Sequence, residues 1–207
     1  MRVLVTGGSG FIAAHVLDVL LEHGHSVVTT VRSPDKGNKI LGNHGNLNKD
    51  KLDFVLVEDM AKPGAFDAAV VSDPPFDAII HTASPFHFKV DDVEAQMLNP
   101  AINGTTGILR SIKSFAPTVK RVVITSSFAA MLHADKHPWP EHTYSEADWN
   151  PITREESFHE DRDKAYCASK TFAERAAWDF VEKEKPNFTL STMCPPLVLG
   201  PVVHYLN

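Results

Sequence analysis

The sequence has little cysteine and no long apolar run. Its 207 residues include two cysteines, Cys167 and Cys194, which are too few and too irregularly placed for a disulfide framework. A reducing, cytoplasmic location is therefore expected. No apolar stretch approaches the roughly 18 residues that a membrane-spanning helix requires, so no membrane partner is expected.

Positive charge and metal-ligand patterns are also scarce. Twenty basic residues against 26 acidic ones give a formal net charge of −6, and the basic residues are scattered. This distribution argues against a nucleic-acid partner. His133, His137 and His142 share one loop, but no cysteine or carboxylate pattern accompanies them, so no metal site is expected.

The first fifteen residues carry the strongest local pattern. Residues 2–6 are a β-branched and apolar run that predicts a buried strand, and residues 11–17 begin a helical pattern. The segment between them fits G-x-G-x-x-[GA], as Gly8-Ser9-Gly10-Phe11-Ile12-Ala13. Glycines let a pyrophosphate approach the backbone, and a helix N-terminus attracts its charge. The predicted dinucleotide contacts are Gly7, Gly8, Ser9, Gly10, Phe11 and Ile12.

Strand and helix patterns alternate along the whole chain. Strands are predicted at 2–6, 26–31, 52–57, 76–80, 119–124 and 188–193, and helices at 11–23, 65–71, 91–114 and 163–184. A polar connector is predicted at 38–49, after a short helix, and Pro100 is expected to bend or restart the third long helix. This alternation predicts an α/β fold of the Rossmann type, a doubly wound parallel sheet with helices on both faces.

The residues after the second strand indicate which dinucleotide is preferred. An NAD-binding domain places Asp or Glu there, to bind the ribose 2′-hydroxyl. This chain has Arg32 instead, with Lys36 shortly after. A cation at this point pairs with a 2′-phosphate, so NADP(H) is the predicted cofactor.

Two further strand ends are candidate cofactor contacts. Asp59 follows the third strand and is placed either to reach an adenine amine or to cap a helix; both readings stay open. The small residues Thr82, Ala83 and Ser84 follow the fourth strand and allow close contact between backbone and ligand.

Three residues carry candidate chemistry. Tyr166 and Lys170 are four residues apart in a predicted helix, and therefore lie on one face of it. Tyrosine holds its proton tightly at neutral pH, but a lysine cation one turn away stabilises the phenolate and lets the tyrosine exchange a proton with a substrate oxygen. Ser127, at the end of the fifth strand, is placed to hydrogen-bond that same oxygen.

These motifs together resemble a known family. Thr6–Ile12, Thr125-Ser126-Ser127 and Tyr166-x-x-x-Lys170 resemble an extended short-chain dehydrogenase/reductase. The segments 81–86, 121–127 and 165–170 are similar to its dihydroflavonol reductase-like branch, in particular to fungal methylglyoxal and ketone reductases.

The resemblance implies NADPH-dependent reduction of a small aldehyde or ketone. Tyr166 would give the proton, Ser127 would polarise the carbonyl, and Lys170 would also hold the nicotinamide ribose. Arg32 and Lys36 match positions that hold the 2′-phosphate. The remaining cofactor contacts it implies are Asp59, Met60, Thr82, Ala83, Ser84, Thr125, Tyr166, Pro195 and Val198.

The chain differs from this family in its length, because family members usually exceed 300 residues. Residues 1–207 are therefore expected to form an NAD(P)-binding domain of the NAD-dependent epimerase/dehydratase type, with the C-terminal substrate-binding portion truncated. An exposed apolar face is expected where that portion would pack. The protein is expected to be a monomer or homodimer.

Two other functions fit the same sequence. A nucleotide-sugar epimerase or dehydratase shares the fold, but such enzymes commonly prefer NAD, which Arg32 disfavours. The other alternative is a truncated, non-catalytic dinucleotide-binding protein.

Overall fold

Six parallel strands form a single sheet in the part of the chain that the structure describes. The structure, a computed structural model, describes residues 1–45, 47–84, 91–158 and 162–203. The strands are β1 (Arg2–Thr6), β2 (Ser26–Val31), β3 (Leu52–Leu56), β4 (Ala78–His81), β5 (Arg121–Thr125) and β6 (Thr189–Met193). Their order is β3-β2-β1-β4-β5-β6, which confirms the predicted doubly wound fold.

Helices cover both faces of this sheet. They are α1 (Phe11–Glu22), α2 (Pro34–Asn43), α3 (Asn99–Phe115) and α4 (Arg162–Glu184). A π-helical turn, Glu94–Leu98, leads into α3, and Pro100 lies in the first turn of α3, so the predicted restart is confirmed. Among the described residues, no helix combines the length and apolar content needed to cross a bilayer.

The core is split by the sheet into two apolar clusters. In β1, Val3 and Val5 face the cluster that contains Leu17 of α1, whereas Leu4 faces the cluster that contains Ile108 of α3. Successive strand residues point to opposite faces, and both faces are buried here. Because of this, β1 reads as a continuous apolar run instead of an alternating one.

Two predictions of secondary structure, one of a helix and one of a connector, were wrong. The helix predicted over 65–71 is absent, and the chain crosses this segment in turns that bury Phe66 and Val70. Its apolar spacing reflects burial against the sheet and not helical periodicity. The connector predicted from Asn38 is helical as far as Asn43, because α2 packs Ile40 into the core and tertiary packing outweighs its poor intrinsic propensity.

Apolar side chains are exposed beside α1, and whether a further portion of the protein packs there stays a prediction. Val19 is 52% exposed, and Leu197 and Leu199, which follow β6, are 83% and 81% exposed. A groove between these two segments is lined mainly by apolar side chains.

Two glycines of α2 give a matched test of how closely this helix packs on the sheet. A Cβ at Gly37 would lie 2.5 Å from ring atoms of Phe54, whereas a Cβ at Gly42 would meet nothing within 4 Å. Gly37→Ala should therefore lower the free energy of unfolding by about 1–3 kcal/mol through overpacking. Gly42→Ala should raise it by up to about 1 kcal/mol, because alanine favours the helix. Urea unfolding measures both, and similar effects at the two positions would refute close packing at Gly37.

Candidate active site

Two connected cavities lie at the carboxyl ends of the strands, where β1 and β4 are neighbours. Open α/β sheets bind ligands at this point, because the chain leaves the two strands in opposite directions. One cavity is about 220 Å³ and the other about 790 Å³. Gly10, Thr82 and Ser84 line both, so the two form one trough.

The glycine turn forms the floor of this trough. Gly7 has φ +73°, and its N–H donates to Thr30 Oγ1 at 3.0 Å. Gly10 is the N-cap of α1, and its N–H donates to the Gly7 carbonyl at 2.8 Å. No acidic residue occupies the first turn of α1, so the positive end of the helix dipole is not neutralised from within the helix.

A hydrogen-bonded seam joins the end of β1 to the loop after β4. Thr6 Oγ1 accepts the Ala83 N–H at 3.1 Å, and Thr82 Oγ1 donates to the Thr6 carbonyl. Thr6 Oγ1 also lies 2.8 Å from Nδ1 of buried His81. Since the Thr6 oxygen accepts from Ala83, its own proton is available to His81 Nδ1. A Cβ at Gly7 would lie 3.0 Å from the Ala83 Cα, so only glycine allows this approach.

The smaller cavity carries the two predicted cations. Arg32 and Lys36 both line it, with Ser9 and Met60. Within the described residues, neither cation is joined to a carboxylate by an ion pair. The cavity therefore has positive charge that is not neutralised by a described side chain.

Asp59 and Gly8 do not line either cavity. The Asp59 carboxylate accepts the Ala61 N–H at 3.0 Å, so it caps a turn and not the helix that the alternative expected. A Cβ at Gly8 would lie 2.1 Å from Thr29 Oγ1, so Gly8 is needed for packing against β2. Gly8 therefore has a packing role, and its role as a ligand contact stays a prediction.

The larger cavity holds the three candidate catalytic side chains. The Tyr166 hydroxyl lies 3.5 Å from Ser127 Oγ, and Lys170 Nζ donates to Ser84 Oγ at 2.8 Å. Lys170 Nζ also lies 5.7 Å from the centre of the Tyr166 ring. Helix periodicity aligns Tyr166 and Lys170, and the end of β5 brings Ser127 to them.

Burial controls the charge of Lys170 and His81. Burial lowers the pKa of Lys170 to about 8. Burial, and then the nearby Lys170 cation, lower the pKa of His81 to about 3. His81 is therefore neutral at physiological pH, whereas Lys170 is close to its titration midpoint.

Most of the other predicted contacts also line the trough. Phe11, Ile12, Thr125, Pro195 and Val198 line the larger cavity, and Ala83 lines the smaller one. Part of the resemblance rests on the segment 81–86, of which residues 85 and 86 lie outside the described residues.

The loop histidines were considered as metal ligands. His142 pairs with Asp148 at 2.8 Å, and the described residues include no group of three or more metal-ligand side chains.

The trough fits a phosphorylated dinucleotide. A Cβ at Gly7 would fill the space that the glycine turn leaves for a ligand. The start of α1 faces the trough, and the cation pair lies at one end of it. The proton-transfer side chains stand at the other end.

Several residues of the site were missed by sequence reasoning. Thr6 and His81 hold the seam, and Met97 and Leu132 line the larger cavity. Glu174, buried behind the cavity, had one available signal: it follows Lys170 by four residues and so lies on the same helix face.

Residues 3–205 match the NAD dependent epimerase/dehydratase family. The chain is 50% identical over 200 residues to the ketoreductase azaE of Aspergillus niger. It is 47% identical over 201 residues to the putative NADPH-dependent methylglyoxal reductase GRP2 of Candida albicans. These alignments cover 97% and 96% of this chain, but 58% and 59% of the relatives' lengths.

The solved structure of Gre2 from Candida albicans in complex with NADPH has the same fold. It superimposes with a TM-score of 0.92 at 40% identity, covering 98% of this chain and 59% of that one. The yeast methylglyoxal/isovaleraldehyde reductase Gre2, also complexed with NADPH, gives a TM-score of 0.90 at 40% identity and covers the same shares of the two chains.

The burial of Lys170 predicts an unusual titration. Its ε-carbon resonance, observed by NMR after ¹³C labelling and assigned by its loss in Lys170→Met, should titrate near pH 8. The unfolded chain keeps this proton up to about pH 10.4. Between these values the unfolded state binds more protons, so this group makes stability rise with pH, and Lys170→Met should lack that rise. A midpoint above about pH 10 would show that the ammonium is not desolvated.

Proposed function

The chain belongs to the NAD dependent epimerase/dehydratase family, and we propose that its trough serves NADPH-dependent reduction of an aldehyde or ketone to the alcohol. The observation that carries this proposal is the placement of Ser127, Tyr166 and Lys170 at one end of a trough whose other end holds Arg32 and Lys36. Relatives named as an NADPH-dependent methylglyoxal reductase and a ketoreductase support the reaction class.

Each end of the trough has its own part in cofactor binding. The turn from Gly7 to Ile12 would hold the pyrophosphate, and Arg32 and Lys36 would pair with the 2′-phosphate. Lys170 would hold the nicotinamide ribose, and Pro195 and Val198 would lie beside the nicotinamide. When bound, the dinucleotide supplies a hydride to the carbonyl carbon.

The side chains of the larger cavity handle the proton. Ser127 Oγ and the Tyr166 hydroxyl, 3.5 Å apart, converge on the position that a carbonyl oxygen would occupy. Tyr166 gives its proton to that oxygen as negative charge develops there, and Ser127 orients the same oxygen by a hydrogen bond. Lys170, held by Ser84, stabilises the phenolate that remains.

Arg32 separates this proposal from a nucleotide-sugar epimerase or dehydratase of the same fold. Those reactions regenerate their dinucleotide and commonly use NAD, whereas the cation pair favours a cofactor that carries a 2′-phosphate and is exchanged in each turnover.

The reaction is tested by NADPH consumption with a panel of small aldehydes and ketones, on residues 1–207 and on any longer natural form. Tyr166→Phe should lower kcat at least about 100-fold, because the proton donor is lost, and leave NADPH binding in place. Tyr144→Phe is the matched control, since its hydroxyl accepts the His133 N–H and Tyr144 lines neither cavity, and it should retain activity. Turnover retained in Tyr166→Phe would refute its role. NADPH binding without reduction of any carbonyl would favour the non-catalytic alternative.

Cofactor choice is tested at Arg32. Arg32→Asp should lower kcat/KM with NADPH about 10- to 100-fold, because a charged hydrogen bond to the 2′-phosphate is lost. The new carboxylate should improve the relative use of NADH. Lys39→Met removes a cation from α2, the helix that carries Lys36, at a position outside the cavity, and should leave the NADPH/NADH ratio unchanged. An unchanged ratio in Arg32→Asp would contradict the 2′-phosphate contact.

A further inference from the structure

Glu174 is a buried carboxylate immediately behind the larger cavity. It follows Lys170 by one helical turn and Tyr166 by two, so all three side chains share one face of α4. Only 7% of its surface is exposed. A carboxylate at such a position is costly unless its oxygens receive hydrogen bonds.

Three donors from three segments meet this carboxylate. Oε2 accepts from Ser126 Oγ and from Cys194 Sγ, the latter at 3.5 Å, and Oε1 accepts from Trp178 Nε1 at 3.4 Å. Burial, and then Glu174 itself, raise the pKa of Cys194, so its thiol stays protonated and able to donate.

The two donors on Oε2 adjoin functional positions. Ser126 directly precedes Ser127, at the end of β5, and Cys194 directly precedes Pro195, after β6. The ends of β5 and β6 are already joined to each other, because Ser126 N–H donates to the Met193 carbonyl at 2.8 Å. That bond does not fix the distance between these two strand ends and α4, whereas the hydrogen bonds to Glu174 connect the strand ends directly to the helix.

We propose that Glu174 is a positioning residue, which holds the strand end carrying Ser127 against the helix face carrying Tyr166 and Lys170. It does not line the larger cavity, so it acts through Ser126 and Cys194. The effect of Glu174 on turnover rests on the proposed reductase function, whereas its effect on the position of Ser127 does not.

The arrangement of donors distinguishes two substitutions at this position. In Glu174→Gln an amide oxygen in the place of Oε2 keeps both strand contacts and loses only the bond from Trp178. Glu174→Ala removes all three bonds and leaves the buried Ser126 hydroxyl without this acceptor. Trp178→Phe removes the third bond alone, and Glu182→Ala removes an exposed carboxylate from the same helix as a general control.

Crystal structures of the variants test the geometry directly. The distance between Ser127 Oγ and the Tyr166 hydroxyl should stay near 3.5 Å in Glu174→Gln and Trp178→Phe, and should exceed hydrogen-bond reach in Glu174→Ala. Ser126→Ala severs the contact between Glu174 and the end of β5 without removing the carboxylate, and should move Ser127 in the same sense if Glu174→Ala does not fold.

Kinetics test the consequence. In Glu174→Ala kcat should fall about 10- to 100-fold, because the proton donor and Ser127 are misaligned. The dissociation constant of NADPH should change far less, since Arg32 and Lys36 lie at the other end of the trough. Glu174→Gln, which keeps both strand contacts, should restore kcat.

An unmoved Ser127, or an unchanged kcat with only a lower melting temperature, would overturn the proposal and leave Glu174 a purely structural residue. If the unsubstituted protein reduces no carbonyl, the reductase proposal fails, and the crystallographic distance alone decides the role of Glu174.

Discussion

The close approach of β1 to the loop after β4 is the constraint on which the rest of the site depends. The Thr6 carbonyl accepts a hydrogen bond from the Thr82 hydroxyl, and Thr6 Oγ1 accepts one from the Ala83 N–H. Gly7 has no side chain that would keep Ala83 away. The same loop carries Ser84, which accepts the hydrogen bond from Lys170. One seam therefore sets both the shape of the glycine turn and the position of the Lys170 ammonium.

Helix α4 organises the opposite wall by its periodicity alone. Tyr166, Lys170 and Glu174 follow one another at intervals of four, from the open cavity to the interior. Tyr166 and Lys170 are half-buried and Glu174 is buried, so one helix face offers a phenol hydroxyl, a desolvated ammonium and a buried carboxylate. The chemistry of each follows from its depth, because burial disfavours unpaired charge.

Neutral His81 completes this arrangement from the sheet side. A second cation next to Lys170 would oppose its charge, and both burial and that repulsion keep His81 unprotonated. Its Nδ1 therefore accepts a hydrogen bond from the Thr6 hydroxyl, so the histidine supports the seam without adding charge.

The sequence alone determined the order of the six strands, the glycine turn and the residue types at the strand ends. These depend on local rules: strands buried on both faces are continuously apolar, glycine is needed where backbones meet, and a four-residue spacing aligns helical side chains. Tertiary structure decided what those rules leave open. The turns over 65–71, the packing role of Gly8 and the burial of Glu174 depend on which distant segments press against them, through contacts with the sheet, with Thr29 and with Ser126. Pairing and burial across the fold are not encoded in any local period, so only the assembled molecule reveals them.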